Sequence, residues 1–192
     1  MVGYEAAMER LREENALLKL RIADLESRLR FLSQHKTLAA GLSGEQLVSG
    51  IIGGVRTVHT ASVDIIMDDG KKIEVKHSKL SYPSPNKPGN RARWQWGKIF
   101  GETNSKDFDF IILVGELDRR YITQYKDHDS PYVIFMLSAA QAMEIVTAHT
   151  SGAKAILLGT NPSPKSVKAR RFFEEYQLTA EELAQRIGTL TS

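Results

Sequence analysis

Residues 61–80, ASVDIIMDDGKKIEVKHSKL, hold the side chains best suited to chemistry in this chain: Asp64, Glu74 and Lys76. The stretch reads as two short strands around a tight turn at Asp68-Asp69-Gly70. The loop length decides what the three can do together. A two-residue loop at Asp69-Gly70 sets Asp64 opposite Val75 and sends Glu74 to the other face, because side chains alternate along a strand. A three-residue loop pairs Met67 with Lys71 and sets Asp64 opposite Glu74, with Gly70 supplying the left-handed residue such a loop wants. The second register is the one expected here, and it puts Asp64, Glu74 and Lys76 on one face. Two carboxylates together can hold a hard divalent cation through oxygen, and a lysine beside them can stand next to a reacting phosphate. The rival reading is a solvated, ion-paired surface hairpin, a common arrangement that contributes little to stability. The Ile and Val residues among the charges favour an interior sheet over that rival.

The spacing Asp64, nine residues, then Glu74-Val75-Lys76 resembles the PD-(D/E)xK nucleases, the restriction-endonuclease-like family, over roughly residues 38–138. Val63 stands where the motif often has proline. The resemblance implies an α/β fold, a mixed central sheet flanked by helices. It also implies Asp64 and Glu74 as Mg2+ ligands (Mn2+ substituting), the Val75 carbonyl as a further ligand, and Lys76 acting on the attacking water. The family places a glutamate on a helix before the first strand, and Glu45 matches that place. Glu45 is also an acid that a helix dipole would favour in a first turn. A glutamine after the lysine lies near the metal in part of the family, which brings in Gln95. The activity implied is a divalent-metal-dependent endodeoxyribonuclease similar to type II restriction enzymes, leaving 5′-phosphate ends. A Holliday-junction resolvase or repair nuclease would share the same triad, and a non-catalytic dimeric DNA-binding protein could retain the fold.

Charge supports a polyanionic partner. Residues 71–98 carry eight Lys and Arg against one acid, a local +7 in a chain whose total is +3. A positive field beside a carboxylate site suits double-stranded DNA. Lys79, Lys87, Arg91, Arg93 and Lys98 are the expected phosphate or base contacts. Trp94 and Gln95 are added because basic residues interleave with aromatics there, although large aromatics are usually core. Residues 81–90, with three prolines, Gly89 and two asparagines, cannot be regular structure.

These residues need elements to position them. The 192-residue chain suits one domain plus an appendage. In residues 4–35, Met8, Leu11, Asn15, Leu18, Ile22, Leu25, Leu29 and Leu32 follow a 3-4 spacing without a break. Leu at every d position and one Asn at a favour a parallel two-stranded coiled coil. Glu14 with Lys19, and Arg21 with Glu26, attract across such a dimer. The alternative is a helix packed on its own domain through Leu17, Leu20 and Phe31. No basic segment precedes Met8, so the zipper is expected to dimerise without reading DNA. The organisation expected is a coiled-coil helix over 1–36 and a catalytic domain over 37–192.

Within that domain, residues 33–40 read as a joint, 42–52 as a helix capped by Ser43 and stopped at Gly53-Gly54, and 55–60 as the first strand. Residues 108–114 and 132–137 read as buried strands, followed by a helix from Ser138 through Val146. Residues 155–158 are a short strand or buried turn. Residues 166–176 and 179–187 read as closing helices, the last with a Thr179/Glu182 capping box and a stop at Gly188. There is no Cys, no apolar run long enough for a membrane span and no apolar N-terminal region of a signal peptide, so the expected location is cytoplasmic.

Overall fold

The computed structural model describes residues 8, 11, 12, 14–16, 18, 19, 22, 36–57, 62–82, 91–100, 106–149, 155–161 and 166–190. The chain divides into two units, Met1–Ala39 and Ala40–Ser192. In the first, the described residues between Met8 and Ile22 are helical, and Met8, Leu11, Leu18 and Ile22 are exposed. Leu25, Leu29, Leu32 and the expected joint at 33–35 lie outside the described residues.

Helix α1 (Lys36–Ile52) begins one to two turns before the expected start, so Ser43 is an interior residue and not the cap. Between Lys36 and Leu42 only Gly41 weakens a helix, and without a proline the element extends backwards through it. It ends at Gly53 and Gly54, both with positive φ (74° and 83°), and Gly53 N–H donates to Ser49 O at 3.0 Å. Strands β1 (Val55–Arg56) and β2 (Ile65–Ile66) are short and antiparallel, and 58–60 lie outside the described residues. Strand β3 (Lys72–Ser78) follows, then β4 (Arg93–Trp96), β5 (Phe110–Glu116), β6 (Tyr132–Ser138), helix α2 (Ala139–His149) and β7 (Ile156–Gly159). Helix α3 (Val167–Arg171) runs into a π-helical turn (Phe172–Tyr176), so the helix expected over 166–176 changes pitch halfway. Strand β8 (Gln177–Leu178) and helix α4 (Ala180–Leu190) finish the described chain, with Gly188 inside α4 and not at its end.

Among the described residues, six strands form one mixed sheet in the order β1-β2-β3-β5-β6-β8. The β3–β5 pair is parallel and its other pairs are antiparallel. Strands β4 and β7 form a separate antiparallel pair. Both faces of the larger sheet are covered, which is why β5 and β6 are apolar almost throughout rather than alternating. On one face Val48 of α1 and Leu183 and Ile187 of α4 pack on Ile73, Val75, Ile112, Val114, Ile134 and Met136. On the other, Trp94, Trp96, Ile156 and Leu158 of the small sheet join Phe172 and Phe173 over Ile111, Leu113, Phe135 and Leu137.

Caps behave as their residues dictate. Ser138 Oγ accepts from Gln141 N–H at 3.2 Å while Gln141 Oε1 accepts from Ser138 N–H at 2.8 Å. Thr179 and Glu182 reciprocate in the same way at the start of α4. The core packs closely over Gly115 of β5. A Cβ there would stand 2.6–2.9 Å from three atoms of the Trp94 indole. Gly115→Ala is therefore expected to destabilise the domain by about 1–3 kcal/mol through overpacking, read as a lower denaturant midpoint with an unchanged slope.

Candidate active site

The hairpin between β2 and β3 has the three-residue loop. Ile65 pairs with Ile73 and Ile66 with Lys72. Met67 N–H donates to Lys71 O, and Gly70 N–H to Met67 O, both at 2.9 Å. Gly70 takes φ 84°, the left-handed value that closes such a loop. The ladder ends at Ile65, and Asp64 lies in the bend before it, with its N–H donating to Ile73 O at 3.2 Å. Ile73 and Val75 point towards α1 and α4, so Glu74, Lys76 and Ser78 project to the opposite face, where β4 lies.

Glu74 is fully buried (0% exposed). Its Oε1 contacts the ammonium groups of both Lys76 and Lys106. Its Oε2 is buried with no hydrogen-bond partner among the described residues. An unsatisfied buried polar atom costs roughly 1–3 kcal/mol, and more when charged, so natural proteins rarely leave one without purpose. Burial pushes the Glu74 carboxyl above its ordinary range; Lys76 pulls it back, Asp64 pushes it further up, and Lys106 pulls it down. Asp64 is fixed by a bond from Val75 N–H to its Oδ2 at 2.7 Å. That bond ties the first acid to the strand carrying the second. The pair of carboxylates with one free buried oxygen fits a hard cation better than a closed ion pair would.

Glu45 is not brought to the pair. It lies in the third turn of α1, on the helix packed against the sheet's other face, where a Cβ on neighbouring Gly44 would meet the His77 and Val75 side chains. Among the described residues, no three Asp, Glu, His or Cys side chains are grouped to hold a metal. A first-turn dipole role for Glu45 also lapses, since α1 starts nine residues earlier. His77 points away from Lys76, edge-on to Tyr132 at 6.0 Å, and burial lowers its pKa.

The interleaved Arg/Trp run is strand β4, and alternation sorts it into two faces. Trp94 is a correction to the expected DNA contacts: it is fully buried, with its Nε1–H donating to Glu116 O at 3.0 Å. Trp96 likewise donates to Val114 O at 3.0 Å. Arg93 and Gln95 face outward, and Gln95 N–H donates to Ser78 Oγ at 3.0 Å, two residues beyond Lys76 on β3. Lys79, Arg91 and Lys98 are exposed as well; Arg91 also donates to Asn161 O at 3.3 Å. Lys87 lies outside the described residues.

Lys106 is the site residue that the sequence reading missed. It sits four residues before β5, whose parallel pairing with β3 returns the chain beside Glu74. Burial lowers its pKa, but the bond to Glu74 and the charges of Glu74 and Asp64 outweigh that and hold it above the usual lysine value. No sequence signal marks it, because the parallel pairing that brings it to Glu74 is non-local.

Comparison with family models and with curated proteins returned no match. No helix among the described residues is long and apolar enough to cross a membrane.

Proposed function

We propose that the protein is a Mg2+-dependent endodeoxyribonuclease, of the type II restriction kind, acting as a homodimer on double-stranded DNA. The observation that carries this reading is Glu74: fully buried, held at one oxygen by two lysines, with its other oxygen unpartnered beside Asp64. Asp64 and Glu74 would hold the cation, with the Val75 carbonyl as a third donor. A bound divalent cation polarises the phosphate and makes a nearby water more acidic. Lys76, on the same face and in contact with Glu74, orients that water and offsets the negative charge that grows on the phosphorane. The mixed sheet with both faces covered supports the resemblance at the level of architecture.

The DNA-facing surface consists of Lys79, Arg91, Arg93, Gln95 and Lys98, all exposed, with Arg93 and Gln95 next to the β3 face that carries Lys76. Arg93→Ala is expected to weaken DNA binding and to reduce the slope of log affinity against log salt by about one. Titrating a labelled duplex in Ca2+ at several salt concentrations checks it, and an unchanged slope removes Arg93 from the interface.

Exposed Met8, Leu11, Leu18 and Ile22, at heptad spacing, support pairing of two chains through the N-terminal helix. Two protomers with one site each would cut both strands. The test is nicking and linearisation of supercoiled plasmid by the purified chain. Cleavage should require Mg2+ or Mn2+ and vanish with EDTA and with Lys76→Ala. Activity that survives either condition overturns the mechanism.

A further inference from the structure

We propose that Lys106 is a resident counter-ion of the Asp64–Glu74 pair, and that its ammonium competes with a divalent cation for the pair. The inference rests on the reading of that pair as a cation site. The two carboxylates face two ammoniums, Lys76 and Lys106, both in contact with Glu74 Oε1. The cluster is thus neutral before any cation arrives. An incoming divalent ion meets two positive charges as well as two negative ones, and in a partly dehydrated site such repulsion is weakly screened.

Lys106 is placed by construction. Its backbone N–H donates to Phe100 O at 3.2 Å, and Phe100 stacks on Phe108 with ring centroids 5.3 Å apart. Phe108 and Phe100 are buried in the core under β4. Beyond them, Asp109 Oδ2 accepts from Lys72 N–H at 2.8 Å, Asp109 N–H donates to Lys72 O at 2.9 Å, and Lys72 Nζ donates to Asp107 Oδ2 at 2.8 Å. Residues 107–109 are therefore laced to the first residue of β3, two positions before Glu74. The Lys106 stem is set to reach Glu74 and no rearrangement of β3 is needed for it to leave. Lys76, on β3 itself, remains on Oε1 when Lys106 departs. The Lys106 side chain is 23% exposed, so a displaced ammonium has a path to water.

The measurement is Mn2+ affinity of the intact protein without DNA, by isothermal titration calorimetry. Two neutral variants, Lys106→Met and Lys106→Gln, keep the test alive if one fails to fold. Both are expected to bind Mn2+ about tenfold more tightly than wild type, because one repelling charge is gone. Lys106→Arg keeps the charge and is expected to keep the wild-type affinity. Equal affinity in all four proteins overturns the inference, and so does weaker binding by the folded neutral variants. Where either result accompanies Mg2+-dependent plasmid nicking by the wild type, the nuclease reading stands and only the role of Lys106 falls. Absence of both Mn2+ binding in every variant and nicking by the wild type removes the two together.

Discussion

Asp64→Asn is expected to lower Mg2+-dependent cleavage by about a thousandfold or more, some 4 kcal/mol of transition-state stabilisation, with no loss of folding stability. The change is isosteric, and the amide oxygen can still accept from Val75 N–H, so the tie to β3 survives. What disappears is half the negative charge that draws the cation. A buried carboxyl whose folded pKa is raised costs stability at pH values above its unfolded pKa. Burial is the main cause for Glu74, and the charge of Asp64 adds to it. Removing that charge lets the Glu74 pKa fall towards its ordinary value but also removes an attraction to Lys106; the two offset, so at neutral pH the variant should stay close to wild-type stability. Plasmid nicking and a urea melt on one preparation check both halves. An active Asp64→Asn protein, or an inactive one that has lost stability, rejects the assignment.

The second large effect belongs to Trp94. Trp94→Ala is expected to cost about 3–5 kcal/mol, a large share of the roughly 5–15 kcal/mol that holds a domain together. The indole is fully buried, stacks on Trp96 at 5.8 Å, meets Phe135 edge-on at 6.0 Å and donates to Glu116 O. Its loss opens a cavity against Gly115, whose missing side chain cannot help fill it. Trp94→Phe should lose less and leave the salt dependence of DNA binding unchanged. A Trp94→Ala protein with wild-type stability but weak DNA binding would return this residue to the interface.

The hairpin was legible because Gly70 supplies the left-handed residue that closes a three-residue loop, and the parity of a strand then sorts side chains between faces. Strands β5 and β6 were legible because apolar runs of that length have few other uses. The Arg/Trp run misled because alternating basic and aromatic residues describe a nucleic-acid surface and a half-buried strand equally well. Burial decides between them, and burial depends on the distant β7 and β5. The early start of α1 and the passage of α4 through Gly188 show how weakly one Ser or Gly punctuates a helix held by packing. Strand β8 has two residues, too few for any periodicity. Lys106 depends on a parallel crossover, a non-local pairing that neither spacing nor composition records.

Strand β3 is paired with β5 from Ile73 to Ser78, and its first two residues also pair with β2. The backbone that carries Glu74 and Lys76 therefore sits where amide exchange demands the deepest opening of the molecule, while short β1 lies at the sheet's margin. On warming, the fraction of protein still competent for the proposed cleavage should follow the global melting curve instead of failing ahead of it. Thermal inactivation would then report on the scaffold as a whole, and a variant hardened anywhere in the sheet would hold its activity to a correspondingly higher temperature.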